Sequence, residues 1–192
     1  MLSGRGFKEV YNLQGGIRAW NGLKAFGPKK LNMDLLRGDE EPAEITLFAY
    51  GMENALGSFY TTLSERTADK DLGHLFTKLE GIEERHKKMV FELYSDIEPS
   101  GMDLPEFESK VTSQVMEGGF DIEGFMKDNE PHMQTSPDAL MVAMMIETQA
   151  MDLYLRYADR SSEARTKEVL FKIADEEKAH LTALGRLMSE KA

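Results

Sequence analysis

From residue 42 onwards, apolar positions recur at the three- and four-residue spacing of helices. The pattern predicts four helices of about 25 residues each, enough for a helical bundle and hence an all-α fold. The first two helices are predicted over about Pro42 to Ala68 and Asp71 to Ser95. The third opens with Ser136 as its N-cap and Pro137 at the first helical position. The fourth spans about Glu163 to Lys191. Between the second and third helices, residues 97–135 are rich in Pro and Gly. They predict a long crossover with at most short helices of its own.

Residues 1–41 differ from the rest of the chain, since they are rich in Gly and have a strand-like pattern. The stretch "DEEPAEI" around Pro42 is a typical helix start, with acidic residues and a Pro in the first turn. We therefore expect two parts, residues 1–41 and residues 42–192.

The helical part contains an internal repeat. Glu53 lies seven residues before Tyr60, and Glu147 lies seven residues before Tyr154. Further along, "EERH" and "EKAH" each place a Glu three residues before a His. The four pairs related by a shift of 94 positions are Glu53 with Glu147, Tyr60 with Tyr154, Glu83 with Glu177, and His86 with His180. The pattern predicts a duplicated helical hairpin.

Each Glu and His of the repeat lies on an otherwise apolar helix face. Burying four carboxylates without a countercharge would break the fold or force protonation, whereas two divalent cations would neutralise them. A Glu from each of two helices plus Glu-x-x-His from each of the other two is the ligand set of di-iron and di-manganese bundles. The predicted metal ligands are Glu53, Glu83, His86, Glu147, Glu177 and His180. Carboxylate and imidazole ligands accept iron, manganese and zinc, so the pattern does not select the metal.

Other candidate residues have a weaker pattern. Tyr60 and Tyr154 share the faces of Glu53 and Glu147, so they either fill the core or hydrogen-bond to a metal-bound carboxylate. His74 and His132 are expected to be solvated. Tyr60 and Tyr154 are the candidate catalytic residues.

Composition excludes several classes of protein. The chain has no cysteine, which excludes disulfides, thiolate metal sites and cysteine nucleophiles. Its net charge of −11, with no basic patch, argues against a nucleic-acid partner. It contains neither a signal-peptide pattern nor an apolar run long enough for a membrane span. We expect a cytoplasmic protein that does not bind membranes.

The six-residue pattern in residues 42–192 resembles rubrerythrin, within the ferritin-like superfamily. The resemblance implies an antiparallel four-helix bundle, a non-haem di-iron centre, reduction of hydrogen peroxide, and Tyr60 hydrogen-bonded near the metals; we also expect a homodimer. The family has a further Glu one turn after the third-helix ligand, where this chain has Ala150. It also usually has a four-cysteine rubredoxin-like site, so this chain requires an external electron donor, such as a rubredoxin-like protein.

The stretch "LSGRGFKEVYNLQGGIRAWNG" resembles the last strand, loop and helix of a rhodanese domain, over about residues 1–28. A rhodanese transfers sulfur through a cysteine that precedes this segment, and this chain has none. Sulfurtransferase activity is thus excluded for the chain as given. Met1 is either the true start or an internal methionine of a longer rhodanese–rubrerythrin fusion.

Three functions fit the predicted site. The first is an enzyme that reduces hydrogen peroxide or oxygen in defence against oxidative stress. The second is an iron- or manganese-binding protein with a ferroxidase or storage role. The third is a structural module stabilised by its metals. With no proposed ligand in residues 1–41, the sequence also predicts that their removal leaves the metal content unchanged.

Overall fold

The four long helices expected from the sequence are present. The computed structural model describes residues 32, 34–98, 101–111 and 115–191. Its helices are α1 (Pro42–Arg66), α2 (Lys70–Ile97), α3 (Leu104–Ser109), α4 (Ile122–Asn129), α5 (Ser136–Arg160) and α6 (Ala164–Lys191). These described ranges contain no strand, only an isolated bridge between Met116 and Phe120. The all-α prediction is confirmed, while the strand and helix expected in residues 1–28 lie outside the described residues.

Helix starts follow local capping chemistry. The side chain of Asp69 accepts hydrogen bonds from the first-turn amides of α2. At α5 the cap is Thr135, whose hydroxyl accepts from the amide of Asp138 at 3.3 Å. The predicted cap, Ser136, is therefore wrong by one residue, because Thr135 has the extended backbone that an N-cap requires. Ser136 occupies the first helical position, so Pro137 occupies the second and not the first as predicted.

The long helices form two hairpins. Residues 67–69 join α1 to α2, and residues 161–163 join α5 to α6. Connections this short make consecutive helices antiparallel neighbours. The α1–α2 pair and the α5–α6 pair are also the most extensively packed pairs of elements among the described residues.

The crossover between the hairpins contains α3, α4 and two 3-10 turns, Glu117–Gly119 and Glu130–His132. It packs against α1 at two places through aromatic rings. Phe107 of α3 lies edge-on to Tyr50 with ring centroids 5.0 Å apart, and Phe125 of α4 lies 5.6 Å from Phe59. The predicted crossover with short helices is confirmed.

The bundle interior has two apolar clusters. The first includes Leu56, Phe59, Leu79, Leu140 and Ile146; the second includes Ile45, Met52, Val90, Leu153 and Ile173. Along α1, α2, α5 and α6 alike, the predicted metal ligands fall between residues of one cluster and residues of the other. The six side chains therefore share one level of the bundle, with apolar layers on both sides.

The unit that contains the bundle comprises residues 32–192. Leu36, which precedes α1, is buried in the second apolar cluster. The separation of residues 1–41 from residues 42–192 stays a prediction. No helix in the described part of the chain is both long and apolar enough to cross a membrane.

Candidate metal centre

The six side chains predicted as ligands all point into the bundle. Each is at most 8% exposed: Glu53 on α1, Glu83 and His86 on α2, Glu147 on α5, and Glu177 and His180 on α6. Helical periodicity explains their common orientation, since Glu83 and His86 are three residues apart and so share one face, as do Glu177 and His180.

The first hairpin contributes one group of donor atoms. Atoms of Glu53, Glu83 and His86 lie within 4.8 Å of one another. The Nδ1 atom of His86 is 3.0 Å from Oε2 of Glu83 and 3.5 Å from Oε2 of Glu53. Two carboxylates and one imidazole thus converge from α1 and α2 on a volume the size of a metal ion.

The second hairpin repeats this arrangement. Atoms of Glu147, Glu177 and His180 also lie within 4.8 Å of one another. The Nδ1 atom of His180 is 3.0 Å from Oε2 of Glu177 and 3.2 Å from Oε2 of Glu147. The 94-residue repeat in the sequence is therefore also a repeat of local geometry.

A seventh residue, Glu117, lies in the same layer and was missed by the sequence analysis. It belongs to the 3-10 turn of the crossover and is fully buried. One of its oxygens lies within 4.8 Å of donor atoms of both Glu53 and Glu177. A clue exists in the stretch "VMEGGF", where an acidic residue stands between apolar residues and is followed by two glycines suited to a tight turn.

Burial and crowding control the charges of these groups. Burial, then the neighbouring carboxylates, raises the pKa of Glu53, Glu83, Glu117 and Glu177 well above the ordinary value. Burial, followed by the proximity of His180, lowers the pKa of His86 to about 2. Without a cation the site therefore favours protonated acids and a neutral imidazole, and a neutral imidazole is the form that binds metals.

Several buried polar atoms lack a hydrogen-bond partner among the described residues. They include both carboxyl oxygens of Glu117, Oε1 of Glu177 and Nε2 of His180. Buried polar atoms are nearly always paired, so a cluster of unpaired ones indicates a missing partner. Carboxylate oxygens and imidazole nitrogens are ligands that iron, manganese and zinc all accept. The residues present therefore fit a pair of metal ions.

The two candidate catalytic tyrosines are fully buried beside the carboxylates. The hydroxyl of Tyr60 has no hydrogen-bond partner among the described residues, and the hydroxyl of Tyr154 donates to Sδ of Met52 at 3.9 Å. Burial, and then the carboxylates, raises the pKa of both tyrosines. Their role in the chemistry stays a prediction. His74 and His132 are exposed, as expected.

Comparisons with solved structures find two similar chains, both at low identity and with TM-scores below 0.5. A hypothetical protein from Pyrococcus furiosus is 22% identical with a TM-score of 0.43, over 78% of this chain and 89% of that one. A Thermotoga maritima protein, provisionally described as a ferritin-like diiron-carboxylate protein, is 19% identical with a TM-score of 0.47, over 82% of this chain and all of that one. No protein-family model and no curated protein matches the chain.

Proposed function

We propose that this chain is a non-haem di-iron protein that reduces hydrogen peroxide, with oxygen as a second oxidant and electrons from an external donor. The observation that carries the proposal is the pair of buried Glu₂His groups, one from each hairpin, at a single level of the bundle. In this proposal the α1–α2 hairpin holds one ion and the α5–α6 hairpin holds the other. Manganese and zinc suit the same ligands.

An iron pair bound here would supply the two electrons that reduce hydrogen peroxide, with two protons, to two molecules of water. The protein surrounds that site with the two apolar clusters defined above. Phe59 and Leu79 are on one side, and Met52 and Val90 are on the other. These layers exclude bulk water, which strengthens the interaction between the carboxylates and the ions.

The protons have candidate sources within the site. Tyr60 keeps its proton at neutral pH, because burial and the nearby carboxylates raise its pKa. Since its hydroxyl has no partner among the described residues, it is free to donate to an oxygen atom of a bound oxidant. Tyr154 is the equivalent residue of the other hairpin, and its thioether contact with Met52 is a weak hydrogen bond that it can exchange.

A rapid-mixing experiment tests the proposal. The protein is loaded anaerobically with ferrous iron and mixed with hydrogen peroxide or, separately, with oxygen, while the iron absorption is followed. We expect oxidation much faster than that of free ferrous iron, and repeated turnover when a reductant is added. Glu83→Ala and Glu177→Ala each remove a carboxylate from one group and should slow the oxidation of the iron. Storage is favoured instead if the iron is oxidised without turnover, and a structural role if neither oxidant reacts faster than with free iron.

A further inference from the structure

We propose that Glu117 is an additional metal ligand, supplied by the crossover and placed between the two groups of ligands. The inference rests on the metal centre proposed above, and it gives that centre a residue outside the duplicated hairpins. Glu117 has no counterpart in the 94-residue repeat, because it lies between the two copies.

Its position between the two groups follows from the residues it shares with them. Glu117 forms a three-residue group with Glu53, which also belongs to the first group, and with Glu177, which also belongs to the second. A carboxylate near one member of each group would be available to help hold an ion in either group.

The surroundings of Glu117 argue against a purely structural role. A buried acid that only stabilises the fold should hydrogen-bond to a donor, since an unpaired buried carboxyl costs free energy. Among the described residues no basic side chain and no backbone amide pairs with Glu117, and the groups that face it are the carboxyls of Glu53, Glu147 and Glu177. A cation is the partner that such a cluster lacks.

The turn that carries Glu117 requires glycine at two positions. Gly118 and Gly119 have φ angles of 68° and 78°, which favour glycine. A Cβ atom on Gly118 would lie 2.7 Å from Cγ of Gln149, and one on Gly119 would lie 2.7 Å from Cβ of Asn32. No other residue type fits at either position without displacing its neighbours.

Asn32, which precedes α1, hydrogen-bonds to this turn. Its side-chain amide donates to the carbonyl of Gly118, while its own carbonyl accepts from the hydroxyl of Tyr157 on α5. These two hydrogen bonds connect the turn that follows Glu117 to α5 through Asn32. Asn32 acts as a positioning residue for Glu117.

The negative charge of Glu117 should affect the midpoint potential of a bound iron pair. Four carboxylates of the hairpins balance two divalent ions, and Glu117 adds a fifth negative charge. That charge favours the more highly charged, oxidised ions over the reduced ones. Loss of Glu117 should therefore raise the midpoint potential of a bound iron pair.

The test compares Glu117→Gln with Glu123→Gln, a matched change at an exposed position of the same crossover. Each metal-free full-length protein is titrated with ferrous iron under anaerobic conditions against a competing chelator, and its melting temperature is measured before and after loading. We expect Glu117→Gln to weaken the binding of at least one ion by about tenfold or more, and Glu123→Gln to have no effect. Metal-free Glu117→Gln should melt at or above the wild-type temperature, because an amide that cannot ionise replaces an acid crowded by other acids.

Two results would overturn the role of Glu117. One is wild-type affinity for both ions in Glu117→Gln, together with a wild-type midpoint potential in a redox titration of the iron-loaded protein. The other is a melting temperature of the metal-free variant well below that of the wild type, which would indicate a structural role. Binding of fewer than two ions by the wild-type protein would instead reject the metal centre itself.

Discussion

The imidazole rings of His86 and His180 stack face to face in the centre of the bundle, with centroids 3.2 Å apart and planes inclined by only 4°. The two residues are 94 positions apart and belong to equivalent Glu-x-x-His pairs on α2 and α6. Each ring nitrogen Nδ1 faces carboxylates of its own hairpin. The stacked rings therefore mark the boundary between the two groups of ligands.

This relationship predicts equal effects of two substitutions. Each imidazole belongs to only one group, so His86→Ala and His180→Ala should each lower the iron content from two ions per chain to about one. Elemental analysis after anaerobic loading and gel filtration measures this content. His132→Ala, at an exposed histidine, is the control and should retain both ions. Retention of two ions by either core variant would contradict the assignment of one ion to each hairpin.

Most residues of the candidate site could be proposed from the sequence because they lie in regular helices. The helical period identifies the buried face, and a Glu such as Glu53 on that face requires a partner. A single Glu-x-x-His pattern is weak evidence for a metal site, but its recurrence 94 positions later, with a Glu at the same distance before each copy, makes the pattern specific. The bundle follows from the same periodicity, and the crossover follows from the Pro and Gly residues that interrupt it.

Glu117 could not be predicted in this way. It lies in a 3-10 turn, where no period distinguishes a buried side chain from an exposed one. The orientation of that turn depends on contacts with Asn32 and Gln149, which are distant in sequence. Tertiary contacts of this kind are absent from local patterns. The error at Ser136 is smaller, because Thr135 and Ser136 are both good N-cap residues and sequence preference alone does not separate them.

The acids of the site predict an unusual pH dependence for the metal-free protein. Glu53, Glu83, Glu117 and Glu177 have raised pKa values in the folded state, whereas unfolded glutamates titrate near 4.5. Above that pH the folded state therefore binds more protons than the unfolded state, and stability is lost as the pH rises. Each such group can lower the free energy of unfolding by up to about 1.4 kcal/mol for each unit of pH increase.

Urea unfolding at pH 5, 6, 7 and 8, with a chelator or with saturating metal, measures this effect. The lowered pKa of His86 acts in the opposite direction below about pH 6.5, but four acids outweigh one histidine, so the metal-free protein should become less stable at each step. The metal-loaded protein should not, because bound cations hold the acids deprotonated. Metal-free Glu117→Gln should have a shallower dependence than Glu123→Gln. If the free energy of unfolding changed equally with pH in the metal-free and the metal-loaded protein, the prediction would be contradicted.

The unequal surroundings of the two tyrosines predict unequal effects of removing their hydroxyls. Tyr60 has no hydrogen-bond partner among the described residues, whereas Tyr154 contacts Sδ of Met52. In the metal-free protein, Tyr60→Phe should raise the free energy of unfolding by about 1 kcal/mol, because it removes an unpaired buried hydroxyl. Tyr154→Phe should change it less. Urea unfolding in the presence of a chelator compares the two variants.

The same tyrosine variants also test proton donation. If Tyr60 supplies a proton, iron-loaded Tyr60→Phe should retain both metals and react more slowly with hydrogen peroxide, by about 10²-fold. An unchanged rate with an unchanged metal content would limit Tyr60 to a packing role.

Two truncations separate the roles of the segments before α1. The sequence predicted no effect on metal content from removing residues 1–41, since they hold none of the six ligands. Asn32 nevertheless contacts the turn that carries Glu117, and Leu36 is buried against the second apolar cluster. We therefore expect removal of residues 1–31 to leave iron affinity unchanged, and removal of residues 1–41 to weaken it.

A point variant isolates the contribution of Asn32 from that of the apolar packing. Asn32→Gly removes the amide that binds the carbonyl of Gly118 but tolerates the positive φ of 58° at this position. Asp34→Gly is the control, because Asp34 is exposed and the change adds similar backbone freedom. In anaerobic ferrous iron titrations, Asn32→Gly should weaken binding less than Glu117→Gln does, because the turn is loosened while the carboxylate remains. In the double variant, Asn32→Gly should cause little further loss of iron affinity beyond that of Glu117→Gln, since both changes act through one ligand. Fully additive losses in the double variant would show that Asn32 affects the metals by another route.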